Sequence, residues 1–151
     1  QLVIVGEGPE REAIQDAIDN MGLEKTVQLA GFIPEPHRYM GLFDIFALSS
    51  KSEQQPIAVM EAMAAGLPVV SPPVGDVAQM VAPENLKMLS EDWSPVQLRD
   101  RIEILAAHAD YRAQMGKANQ ARAQALFDEK AMIAAYAALY SEAVGHPGAL
   151  G

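Results

Sequence analysis

Residues 47–72, ALSSKSEQQPIAVMEAMAAGLPVVSP, hold in order the end of an apolar strand, a polar loop, a helix opened by Pro56, a stop at Gly66 and a second apolar strand. Strand, helix and strand joined by short connections make the repeat of a parallel sheet. Proline suits a first helical position, because the N–H it lacks has no partner inside the helix anyway. Glycine just past the last turn is a common stop. Two glutamates frame the stretch: Glu53 in the loop and Glu61 on the helix, with seven residues between them.

The same alternation extends to either side. Residues 2–5 (LVIV) form a continuous apolar run that reads as a strand buried on both faces, ended by Gly6. Gly6-Glu7-Gly8-Pro9 is a turn, and residues 10–20 predict a helix with Ala13, Ile14, Ala17, Ile18 and Met21 on one stripe, ended by Gly22. A strand follows at 26–30, then a loop at 32–36, a short helix at 37–43 and a strand at 45–48. Beyond residues 68–71, which close the quoted stretch, come a short helix near 76–81 and a strand at 86–89. Past Ser90 only helices are expected: from Ser94-Pro95 to about 109, over 110–127 and over 129–143. The fold class is therefore α/β: a Rossmann-like parallel sheet of about five strands, helices on both faces and a helical C-terminal extension. Residues 1–144 read as one domain and 145–151 as a disordered tail.

Composition removes several functional classes. A formal net charge of −9 disfavours general binding to nucleic-acid backbones, so no nucleic-acid partner is expected. The chain has no cysteine and three scattered histidines, His37, His108 and His146, which excludes thiol chemistry and argues against a metal cluster. No apolar run reaches the roughly 18 residues of a membrane span. A cytoplasmic location is expected, with membrane-peripheral attachment an option for a longer enzyme. The chain opens on Gln1 and directly on a core strand, which reads as a piece cut from something longer.

Ligands of open parallel sheets bind outside the carboxyl ends of the strands. Three loops fall there: residues 6–9, 31–34 and 49–56. Gly6, Gly8 and Gly31 allow a backbone to approach a ligand, although strand-to-helix turns use glycine for steric reasons as well. The helix after Pro56 aims unpaired N–H groups and a partial positive charge at whatever precedes it, a position that suits a diphosphate. Carboxylates do not bind phosphates. Glu53 and Glu61 accept hydrogen bonds only, and vicinal sugar hydroxyls are good two-donor partners for them. At about 1.5 Å rise per residue, Glu61 sits roughly one turn inside its helix. The plainer reading is a solvated glutamate beside Ile57, at the margin of an apolar stripe of Ile57, Met60 and Ala64. Lys51 reads as a solvated loop lysine, with a phosphate contact as the other option.

At these residues the chain resembles a family. Residues 53–70, EQQPIAVMEAMAAGLPVV, are similar to the E-x7-E motif of retaining glycosyltransferases of the GT-B fold, group 1 (family 4). VGEGPER at 5–11, VQLAGFIP at 27–34 and DIFALSS at 44–50 resemble the family's other strands and turns, and the similarity runs over about residues 2–75 and more loosely to 127. The resemblance implies the donor-binding half of an enzyme that moves a sugar from a nucleoside-diphosphate sugar to an acceptor. It gives Glu53 the donor-sugar hydroxyls and the catalytic position, and Glu61 the ribose. Ser50, Gln54, Gln55, Pro56 and Ile57 join the donor site, with Gly6 and Gly8 on the first turn. Gly31, Phe32 and Ile33 lie against the base. Retention is implied by a same-face attack assisted by the leaving diphosphate, with no metal and no cofactor. The partners implied are the nucleotide sugar and an N-terminal acceptor domain outside this chain, so the piece alone is expected to be inactive.

The family usually carries glycine and an aromatic where Gln54 and Gln55 stand, and Gly-Gly with a later Glu where Gly75-Asp76 and Gln79 stand. Its phosphate-gripping Arg and Lys would precede Gln1. A non-catalytic binding or scaffold module of the same fold, and a nucleotide-sugar epimerase, are the alternative readings.

Overall fold

The computed structural model describes residues 1–145, so the expected tail falls, past Gly145, outside the described residues. Residues Gln1–Pro36 form one compact unit, and a second begins at His37.

In the first unit, β1 (Leu2–Val5) pairs in parallel with β2 (Val27–Gly31), in the register Leu2↔Val27 to Ile4↔Leu29, with a bulge before Val5↔Gly31. Helix α1 (Arg11–Asn20) connects them. The expectation that β1 is buried on both faces is corrected: Leu2 is 50% exposed and Val5 43%. A single helix cannot cover both faces of a two-stranded ladder, so an apolar run need not mean two-sided burial. The α1 stripe is likewise narrower than expected, with Ile18 its one buried residue and Met21 exposed.

Two 3-10 turns, Pro36–Arg38 at the boundary and Met40–Leu42 within the second unit, stand in place of the expected short helix at 37–43. Then β3 (Phe46–Ala47) pairs in parallel with β4 (Val69–Val70) across α2 (Ile57–Ala64). The ladder continues past both ends, with Phe46 N–H donating to Pro68 C=O at 3.0 Å and Leu48 N–H to Val70 C=O at 2.9 Å. Successive strand side chains point to opposite faces, and β4 shows it. Val69 packs with Val59 and Met63 of α2 and with Val77 and Met80 of α3 (Val77–Met80). Val70 packs with Met88, with Leu105 of α4 (Pro95–Ala107) and with Met115 of α5 (Ala109–Leu126). Helices thus cover both faces of this sheet. The last helix is α6 (Glu129–Ala143), capped by Asp128, whose carboxylate accepts from Ala131 N–H at 2.8 Å.

Two expectations about the sheet are corrected. Among the described residues there are four strands in two ladders, β1–β2 and β3–β4, rather than about five strands in one sheet. The expected strand at 86–89 is mostly a 3-10 helix, Pro83–Met88, and only Leu89 bridges Ser71. A side chain takes the missing strand's place. Asn85 accepts from Val69 N–H at 2.9 Å and donates back to Val69 C=O at 2.7 Å, as a strand neighbour would. Asn119 of α5 then donates to Asn85 Oδ1 and to Leu67 C=O, both at 2.9 Å, and accepts from Ala82 N–H at 2.9 Å. Both asparagines are fully buried, and their amides are satisfied by this network.

Helix α5 also closes three other helix ends, whose last carbonyls lack intrahelical donors. Arg112 donates to Leu105 C=O at 2.6 Å and Ala106 C=O at 2.9 Å at the end of α4. Gln120 donates to Ala64 C=O at 3.0 Å at the end of α2. Arg122 donates to Met80 C=O at 2.8 Å and Gln79 C=O at 2.7 Å at the end of α3. A cation is favoured at each such negative end. Replacing Arg122 by Met, which keeps the apolar stem, is expected to cost about 1.5 kcal/mol, the low end for charged hydrogen bonds because the group is only half-buried. Urea unfolding of the variant beside the parent chain measures it.

Candidate functional site

The loop between β3 and α2 carries the first glutamate. Glu53 and Ser50 are half-buried, and Lys51, Gln54 and Gln55 are exposed. Gln54 C=O accepts from Asp76 N–H at 2.7 Å. Pro56 is buried and sits at φ −67°, ψ 118°, so it precedes the helix rather than opening it. Its carbonyl accepts from Val59 N–H at 3.1 Å and from Met60 N–H at 3.4 Å, and no side chain caps this end of α2. The N–H groups of the first turn, at Ile57 and Ala58, are those a helix leaves without internal partners.

Glu61 needs a correction to its surroundings. The buried face of α2 is Val59, Ala62 and Met63, whereas the expected stripe residue Ile57 is 69% exposed and Ala64 is exposed too. At about 100° per residue, Glu61 lies nearly opposite Val59, with Ile57 and Ala64 beside it. It is nonetheless withdrawn from solvent: its side chain is 22% exposed, and Oε1 lies 3.7 Å from His37 Nδ1. A carboxylate off the core-facing side of a helix, yet largely shielded, has spare acceptor capacity for a hydroxylated ligand.

The remaining expected residues belong to the first unit. Gly6 and Gly8 are exposed and Gly31 is buried. Gly6 N–H donates to Gly31 C=O at 2.8 Å, which brings those two loops together. Phe32 is 77% exposed and Ile33 half-buried. An open groove of about 600 Å³ elsewhere is lined by Ile104, His108, Tyr111 and Gln114, and it includes neither motif glutamate.

Two contacts escaped the sequence reading: His37 against Glu61, and the Asp76 N–H on the Glu53 loop. No local spacing announces either. Gly75-Asp76 did stand out in the sequence, but only as a departure from a pattern. Among the described residues no cluster of three or more His, Asp or Glu is placed to hold a metal ion, and no helix is long and apolar enough to cross a membrane.

The family model described as glycosyl transferases group 1 matches residues 1–122. The lipopolysaccharide core biosynthesis glycosyltransferase LpsD of Rhizobium meliloti is 24% identical over 143 residues, covering 95% of this chain and 42% of its own length. Sucrose-phosphate synthase from Thermosynechococcus elongatus superposes with a TM-score of 0.86 at 27% identity, over 96% of this chain and 39% of that one. HepE of Anabaena, solved in complex with UDP-glucose, gives a TM-score of 0.74 at 25% identity, over 83% of this chain and 36% of that one. The chain spans about two fifths of the length of the curated relatives it matches.

Proposed function

The chain belongs to the group 1 glycosyl transferases, and from that premise we propose that it is the donor-binding half of a retaining GT-B enzyme that uses a nucleoside-diphosphate sugar. The observation that carries the reading is the pair of half-buried carboxylates, Glu53 and Glu61, set before and inside a helix whose N-terminal N–H groups no side chain caps. A diphosphate at that helix start meets N–H donors and the positive end of the peptide dipoles. Glu53 then accepts from the transferred sugar's hydroxyls and Glu61 from the ribose. Gln54, Gln55, Pro56, Ile57 and Ser50 border the same position. A solved complex of HepE with UDP-glucose makes a uridine donor the first to test.

In the reaction the anomeric bond to the diphosphate breaks and the acceptor oxygen bonds to the same face. The acceptor proton passes to the departing diphosphate, without metal or organic cofactor. Preorganised charge stabilisation of the leaving group supplies most of such catalysis. The acceptor-binding half and the cations that grip the diphosphate are assigned to residues beyond this stretch, so the isolated chain binds donor weakly and does not turn over. We place the enzyme in the cytoplasm.

Calorimetric titration with UDP-glucose tests this. Glu53→Ala and Glu61→Ala are each expected to weaken binding about tenfold, the worth of one charge-assisted hydrogen bond. Only Glu61→Ala should weaken UDP to the same degree. A tight complex indifferent to both glutamates would overturn the reading, and a full-length enzyme that binds no donor would favour a scaffold module instead.

A further inference from the structure

We infer that Gly75 and the backbone N–H of Asp76 are positioning residues for Glu53, fixing the loop that reads the transferred sugar; the inference rests on the donor-site reading above. Among the described residues, the bond from Asp76 N–H to Gln54 C=O at 2.7 Å is the hydrogen bond that ties loop residues 49–55 to the rest of the chain. The other side of that contact is a fixed wall. Gly75 and Asp76 lie between Val74 and Val77, both buried in the cluster that holds Val59 and Met63. The loop side is soft, with Gln54 and Gln55 exposed. If either side yields, it is the loop.

The contact requires glycine twice over. Gly75 has φ +51°, a left-handed conformation that costs a side-chain-bearing residue free energy. A Cβ there would also collide with the Gln54 carbonyl oxygen and lie 2.9 Å from Glu53 O and from Gln54 C. Those neighbours are backbone atoms, so no rotamer change relieves the overlap. An added methyl must push the peptides of Glu53 and Gln54 away, and Glu53 moves with them. The wall thereby holds the sugar-reading carboxylate in place without touching the sugar, which is how supporting contacts usually act on a site.

Gly75→Ala distinguishes positioning from general damage. Expected in the variant are a UDP-glucose affinity about tenfold lower and a UDP affinity changed less than twofold, because Glu61 and the helix start stay in place. Glu53→Ala should show the same split, and the double variant should be no weaker than either single one, since groups acting as a unit are not additive. Gly66→Ala, also at a left-handed glycine but with no atom nearer than 3.7 Å, is the control: it lowers stability and leaves the ratio of the two affinities alone. Equal loss of both ligands, or multiplied losses in the double variant, would overturn the inference. Amide hydrogen exchange decides it without ligand. Faster exchange of the Asp76 amide, the donor of that bond, in Gly75→Ala supports the wall, and unchanged exchange there refutes it even if the parent chain binds neither probe and the donor reading itself has failed.

Discussion

Asn119→Ala should lower the unfolding free energy by about 3–5 kcal/mol, a large share of the 5–15 kcal/mol typical of a domain. Asn119 is fully buried and makes three hydrogen bonds. Truncation leaves Ala82 N–H and Leu67 C=O without partners inside the protein, at about 1–3 kcal/mol each. It also removes the donor that holds Asn85 Oδ1 toward β4, and it opens a void the size of an amide. Asn119→Leu fills the void but satisfies neither backbone group, so it should rescue little. Chemical denaturation followed by circular dichroism gives both numbers. A loss under about 1 kcal/mol for Asn119→Ala would show that water enters and takes over the bonds.

That network also marks how far the sequence could be read. The repeat around Glu53 and Glu61 was legible because Pro56, Gly66 and the flanking valines punctuate it, and helix α6 begins and ends where its pattern does. The face of α2 was not. IAVMEAMA is apolar nearly all round, so no 3.6-residue period distinguishes the stripe of Ile57, Met60 and Ala64 from the one that is buried, Val59, Ala62 and Met63. Residues 86–89 failed for another reason. Apolar spacing there fits a strand, yet the β4 edge is already satisfied by the Asn85 amide, a bond between residues sixteen apart. Asn119, Gln120 and Arg122 looked like ordinary polar positions on a helix. Their partners lie 34 to 56 residues away and leave no local signature. Of the candidate site, the placement of Glu53 in a loop and of Glu61 on the helix that follows was readable. What holds the Glu53 loop was not, because a backbone-to-backbone contact is encoded only by the absence of a side chain at Gly75.

Gly116→Ala carries that logic to a second close backbone approach, between α5 and the turn that ends α2, and a loss of about 3 kcal/mol or more is expected. Two effects oppose each other. Alanine inside a helix is worth about 1 kcal/mol over glycine, and Gly116 sits within α5, so propensity alone favours the change. Against it, a Cβ at this position would collide with the Gly66 carbonyl oxygen and lie 2.8 Å from its carbon. Overpacking costs typically 1–3 kcal/mol even when side chains can give way, and here the obstacle is main chain. Moving the turn is also costly, since Leu67 C=O is held by Asn119 at 2.9 Å and Ala64 C=O by Gln120 at 3.0 Å. Gly66→Ala gives the comparison from the other side of the same contact. Its Cβ has room, so its cost is the left-handed φ of +79°, about 1–2 kcal/mol. The rank order is therefore the decisive reading: Gly116→Ala well below Gly66→Ala in urea midpoint. Were the two equal, or were Gly116→Ala stabilising, α5 would have to slide off the turn that ends α2 at little cost. The close approach of these two backbones would then not be what seats the helix bearing Glu61.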